Sequence, residues 1–145
     1  MESVSERSRT SLRSRVIDSW FGRWAPIGVW LAFIYFLSAQ PEFPDIGATR
    51  QGEDLIGLIV HLALYAILAG LLCRALASNR RLALDRVAFV LLCSALYALS
   101  DEWHQSFVPS RESSLADWLT DLIGAAVGCL AYLRLRRSAG RTRQG

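Results

Sequence analysis

Four apolar blocks constrain the fold of this chain more than any other feature of its sequence. An α-helix needs about 17 to 25 predominantly apolar residues to cross a hydrocarbon layer of about 30 Å. The blocks are close to that length and cover residues 24–39, 55–77, 82–100 and 115–133. Because 52% of the 145 residues are hydrophobic, the chain has too much apolar surface for a small soluble domain. The sequence therefore predicts an all-α polytopic membrane protein, a bundle of four transmembrane helices.

Two of the blocks fit this prediction less well than the others. Pro26 lies near the start of the first, and Asp85 and Arg86 lie inside the start of the third, where a helix breaker or charges disfavour a span. The first block has no small-residue cleavage motif after it, so we expect a retained helix and not a removed signal peptide.

Arginine predicts the orientation of the bundle. All 16 basic residues are arginine, and most lie in the two terminal tails or between the second and third blocks, whereas the other two loops carry Arg50 and Arg111 alone. The positive-inside rule then places both termini in the cytoplasm and the arginine-poor loops outside. We expect a basic, disordered cytoplasmic tail over residues 1–19, a membrane domain over 20–135 and a basic cytoplasmic tail over 136–145. This topology explains the net charge of +3 without a nucleic-acid partner.

A polar run between the third and fourth blocks indicates a site, because ionisable groups in or near a bilayer are energetically costly. Its residues 100–111 read Ser-Asp-Glu-Trp-His-Gln-Ser-Phe-Val-Pro-Ser-Arg. Asp101, His104 and Gln105 are spaced to share one helix face, from which Glu102 points about 100° away. Pro109 favours a turn that returns the chain to the membrane. Arg111 then can pair with a nearby acid or hold a phosphate.

The predicted depth of two polar side chains in the membrane relates this polar run to the second and fourth helices. His61 and Asp121 each lie about six residues, or roughly 9 Å, below the outer end of their blocks, so the two side chains can share one level. Helical spacing places His61 with Gly57 and Tyr65 on one inward stripe. A second inward stripe comprises Asp117, Asp121, Gly124 and Gly128. Each aspartate near a helix centre costs about 2.5–3.5 kcal/mol, so the fourth helix needs partners, and the two glycines permit close packing.

The three cysteines are predicted to pack within the helices and not to form a framework of disulfide bonds. Cys73, Cys93 and Cys129 lie in predicted helices without metal-ligand spacing, and we expect them to pack as small apolar residues.

The motifs taken together resemble the VanZ-like membrane protein family over most of the chain. They are Ser38-x-Gln40-Pro41, His61-x-x-x-Tyr65, Asp101-Glu102-x-His104-Gln105-x-x-Val108-Pro109-x-Arg111 and Asp117-x-x-x-Asp121-x-x-Gly124-x-x-x-Gly128. The resemblance implies a small polytopic protein of a bacterial cytoplasmic membrane, with a link to glycopeptide (teicoplanin) resistance. The chain departs from the family pattern at Leu58, where members often carry lysine, and at Asp121, where they often carry asparagine.

We first consider an enzyme that acts on envelope lipids or lipid-linked intermediates at the outer leaflet. In this hypothesis Glu102 or His104 is the general base, and Asp101 or Asp117 orients an imidazole. The residues expected to bind the substrate are Arg111, Gln105, His61, Tyr65, Gln40 and Asp121.

Two other functions need no catalysis. The second hypothesis is a binding protein that recognises a lipid headgroup, an amphiphilic drug or a partner protein. It is favoured by the aromatic residues Trp103, Phe107 and Trp118. Interfacial tryptophans are ordinary membrane anchors, however, and we expect that role for Trp20, Trp24 and Trp30. A hydrogen-bonded network that fixes helix order is the third hypothesis.

A metal site is less favoured, and the sequence identifies no cofactor. Its ligands would come from a mixed nitrogen and oxygen set, but the two histidines lie on different helices and form no local pair. That set is His61, His104, Asp101, Glu102 and Asp117. The sequence leaves the oligomeric state open.

Overall fold

The computed structural model of the chain describes residues 2–40, 50–77, 83–109, 111 and 113–141, with side chains for residues 20–40, 55–77, 83–109, 111 and 113–139. These residues form four α-helices and no strand. The helices are α1 (Glu2–Ser38), α2 (Arg50–Leu76), α3 (Leu84–Gln105) and α4 (Leu115–Arg141). The predicted all-α fold is confirmed.

Three of the helices are long and apolar enough to cross a membrane, over Trp20–Ser38, Leu55–Leu76 and Leu115–Ala139. Within the described part of the chain α3 is not among them, because charged residues lie near both ends of its 22 residues. The face of α3 that points away from the other helices is nevertheless apolar, since Phe89, Leu92 and Leu96 are exposed. The fourth span and the cytoplasmic position of both termini stay predictions.

The helices extend further than the apolar blocks. The backbone of α1 is helical from Glu2, and that of α4 is helical to Arg141. Helix therefore runs through most of residues 1–19, where the sequence predicts disorder, and into the C-terminal tail predicted over 136–145. The division of the chain into a membrane domain and two cytoplasmic tails stays a prediction.

Polar contacts show that α1 and α2 run in opposite directions. The Arg74 guanidinium, near the end of α2, donates a hydrogen bond to the carbonyl oxygen of Gly22 in α1 (2.9 Å). Farther along, Trp30 Nε1 donates to the carbonyl oxygen of Leu64 (2.9 Å). The Trp30 indole thus joins two helices, a contact that the sequence did not predict, and its role as an interfacial anchor stays a prediction.

The third helix is attached to both of its neighbours in the same way. The Tyr97 hydroxyl donates to the carbonyl oxygen of Leu31 in α1 (2.7 Å). Trp118 Nε1 in α4 donates to the carbonyl oxygen of Ala95 (3.1 Å). The contacts of α3 with α4 are antiparallel, whereas α1 and α3 run in the same direction, since Tyr35 also stacks on His104 farther along both helices. The helices therefore make an up-down-up-down bundle, in which α1 is parallel to α3 and α2 is parallel to α4.

The closest interface is the one between α2 and α4. A Cβ atom built on Gly124 would lie 2.5 Å from the carbonyl oxygen of Leu62, and one on Gly128 would overlap the carbonyl of Ala66 more severely. Glycine is therefore required at both positions for the helices to approach this closely. The packing role predicted for Gly124 and Gly128 is confirmed, whereas Gly57 is exposed and its predicted inward position is wrong.

Two cysteines pack deeper in the same interface. Cys73 of α2 and Cys129 of α4 are buried, with their Sγ atoms 3.5 Å apart as free thiols. Both lie among apolar neighbours, as expected for cysteines that act as small hydrophobic residues.

Candidate functional site

The polar residues of the helices collect at one end of the bundle, where α1 and α3 end and α4 begins. Two hydrogen bonds close this end. Arg111 Nη1 donates to the carbonyl oxygen of Ser38 (3.3 Å), and Glu102 Oε2 accepts from the backbone N–H of Ser114 (2.7 Å). This end includes the arginine-poor connection that the positive-inside rule predicts to face out.

The central feature of the site is a pair between α2 and α4. His61 Nδ1 lies 3.0 Å from Asp121 Oδ1, and the aspartate side chain has no solvent exposure. The prediction that His61 and Asp121 share one level is confirmed by this contact. The second oxygen of the carboxylate, Oδ2, is buried without a hydrogen-bond partner.

Glu102 brings α3 into the same group. One side-chain nitrogen or oxygen from each of His61, Glu102 and Asp121 lies within 4.8 Å of the others. Glu102 is 6% exposed, and its Oε1 atom is also buried without a hydrogen-bond partner. We call His61, Glu102 and Asp121 the buried trio.

Three more predicted residues are buried in this end of the bundle. Gln105 Nε2 donates to Asp101 Oδ2 (3.1 Å), and both side chains are buried, so the predicted shared face of these two residues is confirmed. Tyr65 is 1% exposed, and its hydroxyl is buried without a partner.

His104 lies elsewhere, in a groove beside α1 and α3. Its ring stacks on Tyr35 with the centroids 4.6 Å apart, and its Nε2 atom is buried without a partner. The groove has a volume of about 390 Å³. It is lined by Tyr35, Tyr97, Ser100, Asp101, Trp103, His104 and Phe107. Five of the predicted site residues are thus divided between the two places. His61, Glu102 and Asp121 form the buried trio, whereas His104 and Asp101 line the aromatic groove, and Asp101 is also the buried partner of Gln105.

The remaining predicted residues are more peripheral. The only ion pair among the described residues is that of His61 with Asp121, so Arg111 is not paired with an acid. Gln40 lies two residues beyond α1 and donates to the carbonyl oxygen of Phe36 in the last turn of that helix (3.1 Å). Asp117 is half-buried in the first turn of α4, one turn before Asp121.

Sequence reasoning missed the part of the groove that Tyr35 and Tyr97 supply. Tyr97 lies four residues before Asp101, so helical spacing already places it on the same face. Tyr35 has no such signal, because it comes from another helix whose rotation is set by packing.

The electrostatics of this end are dominated by acids. Asp101, Glu102 and Asp121 are all buried, and the cationic group nearest the predicted turn, that of Arg111, donates to a neutral carbonyl. A buried carboxylate that is not fully paired is costly. The site is therefore suited to proton transfer or to the binding of a cation.

Comparison with known proteins gives one match. The model of a protein family described as VanZ/LLP1 matches residues 23–136, a range that includes the buried trio and the aromatic groove. No curated protein and no solved structure was found to match the chain.

Proposed function

Since this chain belongs to the VanZ/LLP1 family, we propose that it is an enzyme of a bacterial cytoplasmic membrane that acts on envelope lipids or lipid-linked intermediates at the outer leaflet. The observation that carries the proposal is the buried His61–Asp121 pair (3.0 Å) beside the free carboxylate oxygen of Glu102. A network that only fixed the helices would satisfy its buried polar atoms, and here several are left free.

The contacts support a division of roles that differs from the one expected from the sequence. Asp121 orients the imidazole of His61, as a carboxylate does in general acid–base sites. Glu102 is held through one oxygen by Ser114 and keeps the other for a proton of the substrate or of water. His104, which lies in the groove, fits a binding role better than that of the base.

The aromatic groove supports an amphiphilic substrate. Trp103 and Phe107 are each 69% exposed and pack edge to face, 5.5 Å between centroids. Such rings suit the boundary between acyl chains and headgroups. A lipid held there would present its polar headgroup beside Asp101.

The test is turnover of radiolabelled envelope lipids by the purified protein in lipid nanodiscs. We expect conversion by the unmodified chain and a loss of about 100-fold or more in Glu102→Gln, the scale of a removed general base. Asp85→Asn is the matched control, because it also neutralises an acid of α3 but is exposed in the first turn. Recovery of every lipid unchanged, with saturable binding, would contradict the proposed enzyme.

A second function is favoured by the groove alone. A non-catalytic protein that recognises a lipid headgroup or an amphiphilic drug such as a glycopeptide needs the stacked Tyr35 and His104 but not the buried trio. In that case His104→Ala would weaken binding of a fluorescent lipid at least several-fold, and Glu102→Gln would leave it unchanged.

A further inference from the structure

We propose that the buried trio of His61, Glu102 and Asp121 binds one divalent transition-metal ion inside the bundle. The chemical role of the ion rests on the proposed function, in which the free oxygen of Glu102 would then serve as a metal ligand in place of a general base. The existence of the site does not rest on that function. The first observation is convergence, since one ligand atom from each of three helices lies within 4.8 Å of the others.

This spacing is close to that of a bound ion. Nitrogen and oxygen ligands bind zinc at about 2.0–2.2 Å, which places neighbouring ligand atoms of a tetrahedral site roughly 3.3–3.6 Å apart. The backbones of α2 and α4 are already fixed by the close approach of Gly124 to Leu62.

The free oxygens are an independent indication of a ligand. Glu102 Oε1 and Asp121 Oδ2 are buried without hydrogen-bond partners, in side chains that are 6% and 0% exposed. The other oxygen of each carboxylate has a protein partner, Ser114 N–H for Glu102 and His61 for Asp121. For Glu102, one oxygen held by a backbone N–H and one free is the arrangement in which an outer contact orients a metal ligand. The partner of Asp121 is itself a ligand of the proposed site, so the ion would replace the His61–Asp121 hydrogen bond.

The charge of the trio favours a divalent cation. Two carboxylates lie within the protein interior with one imidazole, and a divalent ion would neutralise them. A mixed set of one nitrogen and two oxygens suits Zn²⁺ or Mn²⁺, whereas Mg²⁺ and Ca²⁺ prefer oxygen ligands alone. Three protein ligands would leave a further coordination position for water or a substrate oxygen.

The proposed set differs from the one considered from the sequence. Among the described residues, the group whose ligand atoms converge contains Asp121 and omits Asp101, His104 and Asp117. His104 lies in the groove, so the site needs one histidine and not two.

The experiment measures bound metal in the full chain. Protein purified in detergent is stripped with EDTA, incubated with Zn²⁺ or Mn²⁺, desalted and analysed by inductively coupled plasma mass spectrometry. We expect about one ion per chain, and a decrease of about 10-fold or more in Glu102→Gln and Asp121→Asn. Asp117→Asn is the matched control, since it removes a charge from α4 one turn away and should keep the ion, whatever its effect on turnover.

A thermal unfolding curve with and without the ion accompanies each measurement. A higher melting temperature on adding Zn²⁺ or Mn²⁺ to the unmodified chain and Asp117→Asn, but not to folded Glu102→Gln, would support the site. An unmodified chain with less than about a tenth of an ion, or equal losses in Asp117→Asn and Asp121→Asn, would overturn it. Lipid conversion that persists after the metal is removed would overturn the role of the ion in the reaction and leave the enzyme standing. One bound ion per chain with every lipid recovered unchanged would overturn the enzyme and leave the metal site standing.

Discussion

Asp121 is the residue that depends most on its surroundings. It is fully buried on α4, and its described partner is His61. On an insertion scale an aspartate near a helix centre costs about 2.5–3.5 kcal/mol, so α4 is stabilised in the bundle by the imidazole that α2 brings to it. The pair therefore supports the fold as well as any chemistry.

Removing the imidazole should destabilise the bundle. We expect His61→Ala to lower the free energy of unfolding by about 2–4 kcal/mol, because it leaves Asp121 buried without its partner. Adding Asp121→Asn to His61→Ala should restore part of the loss, since an amide carries no charge. Steric-trapping measurements in bicelles would give both values. A double variant no more stable than His61→Ala would show that the carboxylate charge is not the cause.

The hydrogen bonds that aromatic side chains donate between helices contribute less to the free energy of unfolding. Tyr97→Phe removes the bond to the carbonyl oxygen of Leu31 (2.7 Å) and keeps the ring, so we expect a loss of about 0.5–1.5 kcal/mol. The exposed Tyr35, substituted in the same way, is the control on α1. Equal effects of the two substitutions in the same unfolding assay would contradict a specific role for the Tyr97 hydroxyl.

At the scale of the helices, the α2–α4 interface holds the buried trio in register. Gly124 and Gly128 bring the α4 backbone against Leu62 and Ala66, which lie one and five residues beyond His61 along α2. The same contact that packs the helices thus fixes the distance between His61 and Asp121.

We expect Gly124→Ala to destabilise the bundle by about 1–3 kcal/mol, because the added methyl group would overlap the Leu62 carbonyl and force the helices apart. Gly70→Ala is the control, since a Cβ atom there meets no heavy atom within 4 Å and alanine favours a helix by about 0.5–1 kcal/mol. Thermal unfolding in detergent would separate the two. A Gly124→Ala variant as stable as Gly70→Ala would contradict the close approach.

The shared level of His61 and Asp121 could be predicted because it depends on depth alone. Both residues lie a similar number of residues from the same end of two parallel helices, and the helical rise is fixed. The position of His104 against Tyr35 could not be predicted, since it depends on how α1 and α3 are rotated about their axes. The orphaned oxygens of Glu102 and Asp121 were also beyond prediction, because they follow from rotamers set by Ser114 and His61.

For the whole molecule, the distribution of polarity is the reverse of that in a soluble bundle. Large apolar side chains such as Val29, Ile59, Leu96 and Ile123 are exposed, and acids lie inside. This arrangement suits a chain surrounded by lipid, and it makes the predicted topology directly testable.

The topology predicts which introduced cysteines react with an impermeant maleimide in intact cells. In a background with the three native cysteines replaced by alanine, Ser113→Cys should be labelled, because it lies in the connection predicted to face out. Ala139→Cys should be labelled only after the cells are opened. Both positions are exposed, so accessibility within the protein is matched. The opposite labelling pattern would invert the predicted orientation.

The buried trio draws one side chain from each of α2, α3 and α4, and this origin determines when the protein becomes competent. The ribosome synthesises α4 after α2 and α3, so His61 and Glu102 lack their aspartate until α4 has packed against these two helices. The proposed metal site is therefore complete only once α4 is in place. A product that terminates before residue 115 lacks Asp121, and the proposal predicts that it does not bind the ion even when α2 and α3 are intact.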